Sequence, residues 1–449
     1  MENVRELAVN MLLEITEKES YSHLVMRDVL DKYDYLPGRD KAFLKRVTEG
    51  TLERRIQIDY ILDQFSRVPA ASMKPFIRNL LRLSVYQLFF MDSVPDAAVC
   101  NEAVKLAGKR GFRSLSGFVN GVLRNIARNR DRICWPDQEK EPVGFLSVKY
   151  SVPLWLVEKL LSERGRERTE RILESFLVPA PVTIRIRQEL GSPEREELIS
   201  RMRQTGAAAE PHPYHPFAYT LRGAEGISSL PGFSEGLFMV QDTSSMLVCE
   251  AAGIRPGQRV IDVCASPGGK AVHAAEKLKE SGFVSARDLT EYKAGLIRDN
   301  SRRMRADRVE TLIWDARRLR EEDIESADAV LADLPCSGLG VIGRKKDIKY
   351  RMSPESLLEL AKLQRQILGT VWRYVKPGGV LIYSTCTINP GENEENVGWF
   401  LERYPFHLES LSSCLPQELS GEGESGMLQL LPGIHKSDGF FLARLVRDN

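Results

Sequence analysis

Two cysteines stand where a nucleophile would be useful. Cys386 lies in YSTCTINPGENEEN (383–396), just after the apolar run Val380, Leu381, Ile382 and Tyr383. Pro377-Gly378-Gly379 leads into that run and Asn389-Pro390-Gly391 breaks the chain after it. This spacing predicts a short buried strand with the thiol past its carboxyl end, and Glu392, Glu394 and Glu395 in the first turn of a following helix. Cys336 repeats the placement, because DAVLADLPCSG (328–338) reads as a strand ending in Asp333 with a thiol three residues on. Open α/β sheets bind their ligands at such strand ends. A lone cysteine there is ordinarily an inert small hydrophobe. Two, with a carboxylate beside one of them, fit covalent catalysis, in which a thiolate attacks and a carboxyl group balances the charge that develops.

A cofactor loop lies upstream. DVCASPGGK (262–270) is a strand end, a glycine turn and a helix start, so Cys264, Ala265, Ser266, Pro267, Gly268, Gly269 and Lys270 can bring backbone N–H groups against a ligand. It is not a phosphate loop: Cys264 replaces the first required glycine and Ala271 the hydroxyl residue after the lysine. Asp288 ends the next expected strand, 20 residues after Gly268, where an acid bonds a ribose. Asp315 ends the third and can meet an adenine amino group. Acids at successive strand ends imply a nucleoside cofactor. With paired thiols, that combination suits methylation at C5 of cytosine, which is a poor nucleophile until a thiolate adds to C6.

The elements that must position these residues follow the same order. From about residue 257 strands alternate with helices, which implies a mostly parallel, doubly wound sheet. Strands are expected at 259–265, 283–288, 309–314, 328–334, 378–385 and 439–446, and helices at 269–280, 291–304, 354–375 and 392–402. Residues 417–426, acidic and rich in Gly and Ser, read as a flexible insertion. Residues 1–132 carry only helical stripes, such as Val4, Leu7, Ala8, Met11, Leu12 and Ile15. Between 101 and 132 eight Lys or Arg face two acids, a net of +6, which suits either a solvated helix face or a surface that tracks phosphates. Residues 135–144 read as a linker, with a helix starting in 150–157. A small α+β subdomain follows, in which Arg185, Arg187 and Arg222 can place positive charge on one side. Arg344, Lys345, Lys346, Lys349 and Arg351 form a basic loop after Cys336, fit for a polyanion backbone or simply for solvent.

The whole chain of 449 residues has a net charge of +1, so any nucleic-acid surface is local. No apolar run approaches the about 20 residues of a membrane span, and the charged start is no signal peptide. Seven cysteines form no CxxC pair and the histidines are scattered, so neither a metal site nor a disulfide framework is expected. A reduced, cytoplasmic, soluble monomer is the expectation.

DVCASPGGK (262–270), DLPCSGLGVIGRKKDIK (333–349) and YSTCTINPGENEEN (383–396) resemble the signature blocks of RNA cytosine-C5 methyltransferases with two active-site cysteines. QDTSSMLV (241–248) and DGFFLARL (438–445) resemble their flanking blocks, and the helical front resembles the NusB-like RNA-binding domain. The order of these parts resembles the bacterial ribosomal RNA methyltransferases of the Sun/Fmu (RsmB) type. The resemblance implies an all-α NusB-like domain (1–135), a small α+β RNA-binding subdomain (145–240) and a Rossmann-like class I methyltransferase domain (241–449). It implies S-adenosylmethionine as cofactor and 16S ribosomal RNA as substrate. Cys386 would be the nucleophile, Cys336 the group that assists product release, and Asp333 the holder of the base. Residues 264–270, Asp288, Asp315 and Asp333 would line the cofactor pocket. Methylation of another RNA such as tRNA stays open. So does a DNA cytosine-C5 methyltransferase, whose nucleophile follows a proline as Cys336 does, and a non-catalytic RNA-binding assembly or antitermination factor.

Overall fold

The apolar stripes of the first 132 residues become seven α-helices joined by short turns. In helix Val4–Glu17, Leu7, Ala8, Met11, Leu12 and Ile15 are buried, and Asn3 caps its start by accepting from the N–H groups of Arg5 and Glu6. Helix Pro75–Phe90 is buried along almost its whole length and forms the centre of this bundle. Polar residues on it find partners: Arg82 donates to both oxygens of Asp59 at 2.7 and 2.6 Å, and Gln87 accepts from Arg5. The chain is described here from a computed structural model covering residues 3–224 and 226–449. It divides into two compact units, Met1–Val178 with Ile342–Arg351, and Pro179–Val341 with Met352–Asn449.

Part of the expected linker is a helix. Pro142–Tyr150 starts with proline at its first position, where no intrahelical N–H is needed. It ends at Ser151 in a left-handed conformation, and Pro153 precedes the next helix, Leu154–Ser175. The helix expected to start within 150–157 thus begins at Leu154, with Pro153 at its cap.

The segment Ile342–Arg351 is only in part the open basic loop expected: Arg344 and Lys345 are exposed, while Lys346, Lys349 and Arg351 are drawn inward. It packs into the first unit. Lys349 is wholly buried and donates to the Glu53 carbonyl at 2.8 Å. Lys346 pairs with the Glu53 carboxylate at 2.5 Å and donates to the Phe176 carbonyl. Arg351 donates to the Glu19 carbonyl and to Asp347, which also accepts both donors of Ser22. Tyr350 donates to the Leu52 carbonyl at 2.8 Å under the Arg55 guanidinium. The surface charge of 101–132 is likewise partly matched, since Glu102 pairs Lys105, Glu6 pairs Lys109 and Arg110, and Asp96 pairs Arg130.

The second unit holds two sheets. Strands β1 (Val182–Ile186), β2 (Ala208–Pro211), β3 (Ala218–Arg222) and β4 (Phe238–Val240) form an antiparallel sheet in the order β2-β3-β1-β4, with helix Ser192–Gln204 contributing Leu198 and Met202 to its core. The arginines expected to charge one side of it are committed elsewhere. Arg185 is fully buried against Glu276 and Gln241, while Arg187 pairs Glu189 and Arg222 pairs Glu210.

The large sheet comprises β5 (Arg259–Asp262), β6 (Phe283–Asp288), β7 (Val309–Ile313), β8 (Ala327–Asp333), β9 (Val375–Thr385), β10 (Phe406–Leu408), β11 (Met427–Leu430) and β12 (Phe440–Arg447). The order is β10-β12-β9-β8-β5-β6-β7, with β11 pairing β12. β5 through β9 run parallel and β12 returns antiparallel on β9. Helices Gly269–Leu278, Glu291–Arg303, Pro354–Val371 and Glu394–Leu401 follow β5, β6, β8 and β9, as the alternation predicts, and Thr243–Ala252 precedes β5. The order reverses between β5 and β8, which opens a crevice at their carboxyl ends. The expected flexible insertion instead packs: Leu419 and Gly423 are buried and the Gly423 carbonyl accepts from Leu411. Among the described residues no helix is long and apolar enough to cross a membrane.

Two expectations follow for stability. Tyr350→Phe removes a hydroxyl that serves buried carbonyls, so it should destabilise the helical unit by about 1–3 kcal/mol, read as a lower urea midpoint. Burial pushes His273 down to about 3, helped by the Arg185 guanidinium, and pushes His215 down to about 4. Both are neutral in the folded chain, whereas an unfolded imidazole titrates near ~6.5. Their contribution is complete above that value and is lost as pH falls from about 6.5 towards 4. Melting temperature should drop over that window, and drop less in a His273→Gln variant.

Candidate active site

The parallel register of β8 on β9 sets Asp333 opposite Ser384. Ser384 donates to Asp333 Oδ1 at 3.0 Å, and the Leu334 N–H donates to the Ser384 carbonyl at 3.1 Å. Cys336 and Cys386 leave these paired strand ends three and two residues later, and their Sγ atoms come within 3.2 Å. Both thiols are half-buried. Gly340 donates its N–H to the Cys386 carbonyl, and a Cβ there would lie 2.0 Å from the Gly439 carbonyl oxygen, so only glycine lets this loop close on the strand.

Behind the thiols lies a buried polar network. Glu392 is fully buried and accepts from Ser337 N at 2.9 Å, Ser337 Oγ at 2.5 Å, Gln364 Nε2 at 2.9 Å and Asn389 Nδ2 at 3.0 Å. Ser337 Oγ and Thr387 Oγ1 are 2.7 Å apart, which clasps the two cysteine loops together. Gln364 also reaches the Pro335 carbonyl, and Tyr383 donates to the Glu392 carbonyl. Glu392 therefore sits in a short 3-10 turn with its side chain inward, not at a helix start; Glu394 and Glu395 do open the helix Glu394–Leu401.

The cofactor-type loop closes the other side. Gly268 has φ +106°, and a Cβ there would lie 3.3 Å from the Ile297 backbone, so the turn needs glycine. Asp288 accepts from Ser266 N at 3.1 Å and Leu289 N at 2.8 Å, with Lys293 at 3.0 Å. Lys270 bonds Asp333 Oδ2 at 2.6 Å. Burial opposes the Lys270 ammonium, but Asp333 and Asp262 outweigh it and hold its pKa above the usual value. Cys264 is kept a neutral thiol by burial and by Asp288, Asp262 and Asp333 around it. Asp315 stays apart. It follows β7, tied to β6 by the Trp314 N–H on the Asp288 carbonyl, but its carboxylate is held by Arg317 at 2.7–3.2 Å.

Several residues here were given no role of their own from the sequence. Asp262 is buried with neither carboxylate oxygen bonded, and burial raises its pKa to about 7. Its place as the acid ending β5 was the available signal. Ser384, Ser337 and Gln364 carried none, since each is ordinary polar composition.

For Cys336, the hydrogen bond with Cys386 comes first, then burial, in pushing the thiol well up; charge on Cys386 and Glu392 adds to this.

A seven-strand order of this kind, with one antiparallel strand and a glycine loop at the switch point, defines a class I S-adenosylmethionine-dependent methyltransferase. Residues 251–446 match the family described as 16S rRNA methyltransferase RsmB/F, 2–128 the NusB family and 152–228 the ferredoxin-like domain of RsmF/B-like methyltransferases. The chain is 36% identical to the "Probable ribosomal RNA small subunit methyltransferase B" of Bacillus subtilis (strain 168), over 99% of this chain and 98% of that one. It is 31% identical to the ribosomal RNA small subunit methyltransferase B of Klebsiella pneumoniae, with the same coverage. The crystal structure of PH0851 superposes with a TM-score of 0.81 at 26% identity, covering 99% of both chains. The chain belongs to the RsmB/F family of 16S rRNA methyltransferases.

The loop fits the cofactor of that class. Asp262 offers a buried, unbonded carboxylate, and Asp288 keeps acceptor capacity beyond its three donors, as ribose hydroxyls and a cationic sulfonium require. Asp288→Ala should weaken S-adenosylmethionine binding about 10- to 100-fold, the equivalent of one charged hydrogen bond. Unchanged affinity by titration calorimetry would remove Asp288 from the site.

Proposed function

We propose that this chain methylates C5 of one cytosine in 16S ribosomal RNA through a covalent bond from Cys386 to C6 of the base. The observation that carries the reading is the pair of thiols 3.2 Å apart beside an Asp333 carboxylate fixed by Lys270 and Ser384. Residues 1–135 and 145–240 would grip the RNA and 241–449 catalyse, in the cytoplasm where ribosomes assemble.

The Cys386 thiolate adds to C6, and the electron pair displaced into the ring makes C5 nucleophilic. Asp333 accepts from the N4 amino group of the base, and the Lys270 ammonium paired with it offsets the negative charge that develops in the ring. When bound, S-adenosylmethionine would supply the electrophilic methyl group for C5, its sulfur leaving as the neutral thioether. The C5 proton then leaves to solvent, the Cys386–C6 bond breaks, and the expelled sulfur is received by the hydrogen bond of the Cys336 S–H. A protonated Cys336 suits that task better than attack.

The two thiols are separable by trapping. Cys386→Ala should abolish both turnover and the covalent complex. Cys336→Ala should still methylate but release slowly, and so accumulate an RNA adduct that survives denaturing electrophoresis. An adduct appearing with Cys386→Ala would reverse the assignment. Bisulfite sequencing of RNA and DNA incubated with the protein and S-adenosylmethionine should find 5-methylcytosine in 16S RNA; methylated DNA or tRNA instead would redirect the substrate.

A further inference from the structure

A fully buried carboxylate ordinarily has a cation against it. Glu392 has none: its four donors come from Ser337, Gln364 and Asn389, all neutral. Every bond it makes is one it accepts, which is what an ionised carboxylate does. The protons in this network run one way. The Asn389 N–H donates to Thr387 Oγ1, Thr387 to Ser337 Oγ, and Ser337 to Glu392 Oε1. The negative end of that chain lies one residue from Cys336, through the Ser337 N–H, whereas Thr387, the neighbour of Cys386, stands toward its positive end.

We propose that Glu392 is a positioning residue that selects the nucleophile: its unpaired buried charge lies behind Cys336 and keeps the negative charge of the thiol pair on Cys386. The clasp and the charge act together. Ser337 and Thr387 hold the two sulfurs within hydrogen-bond range, and the carboxylate decides which sulfur keeps the proton. The other titratable groups near Cys336 are Cys386, Tyr383 and, at the paired strand ends, Asp333 with its charge met by Lys270, and Arg365 stands beyond Tyr383. Tyr383 is itself buried, donates to the Glu392 carbonyl, and its pKa is pushed well up by that burial, so it brings no competing charge. The inference rests on the reading of Cys386 as nucleophile.

The experiment is competitive alkylation of the full-length protein with sub-stoichiometric iodoacetamide near neutral pH, read by peptide mass spectrometry. The native protein should label Cys386 over Cys336 by about tenfold or more, since one unit of pKa difference is tenfold in thiolate. In Glu392→Gln, which keeps the shape and loses the charge, that ratio should fall towards one, and kcat should fall while KM for S-adenosylmethionine stays. Ser337→Ala, which breaks the clasp and keeps the charge, should retain the native labelling preference with reduced kcat. Glu392→Gln with the native ratio, or a native protein that labels Cys336 first, overturns the proposal. If Glu392→Gln proves not to bind S-adenosylmethionine, the Cys386→Ala protein carries the test. There Cys336 faces Glu392 without its partner thiol, and its alkylation midpoint should stay above the ordinary thiol value of ~8.5; a midpoint at or below it overturns the proposal. The trapping experiment separates this from the underlying reading. An adduct with Cys336→Ala and unchanged labelling in Glu392→Gln defeats only the role of Glu392, while an adduct with Cys386→Ala defeats the nucleophile assignment itself.

Discussion

The site depends on one register. β8 pairs β9 in parallel with Asp333 opposite Ser384, and everything that bears on chemistry in this region is counted from that pair. A slip by one residue would turn Asp333 and Ser384 to opposite faces and separate the thiols. Apolar pairing alone does not exclude such a slip, because Val330, Leu331 and Ala332 face Leu381, Ile382 and Tyr383, and an apolar strand tolerates a neighbouring apolar partner. The polar network past the strand ends does exclude it. Glu392 can satisfy Ser337, Gln364 and Asn389 in one alignment only, and an unmet buried carboxylate is among the most costly defects a core can hold.

The chemistry was legible in the sequence because it sits at strand ends. Cys336, Cys386, Asp333 and the loop 264–270 follow short apolar runs, Asp288 ends the strand after that loop, and a strand end in an open α/β sheet has a known use whatever surrounds it. The basic residues were read wrongly for the opposite reason. Lys349 finds the Glu53 carbonyl 296 positions away and Arg185 finds Glu276 across 91, so their positive charges are answered by groups no local window contains. Glu392 misled in the same manner. After Asn-Pro-Gly an acid is the usual mark of a helix start, and the partners that draw it inward, Ser337 and Gln364, lie 55 and 28 residues back. Strand-end chemistry follows from topology, whereas the destination of a charged side chain follows from packing.

The same distinction explains why three thiols near one crevice need not compete. Cys264 ends its strand as Cys336 and Cys386 do, and by position alone could serve as well. Three carboxylates, Asp262, Asp288 and Asp333, surround it, and together with burial they keep it neutral. Those acids are what a cationic cofactor requires, so the groups that suit the methyl donor also silence the nearest cysteine. Cys336 is kept protonated first by its hydrogen bond to Cys386, then by burial and by charge on Cys386 and Glu392. On the proposed mechanism Cys386 carries the thiolate, with the Cys336 sulfur 3.2 Å away. Reactivity in this crevice is thus set by where negative charge is already fixed, and a cysteine's position in the fold only makes it eligible.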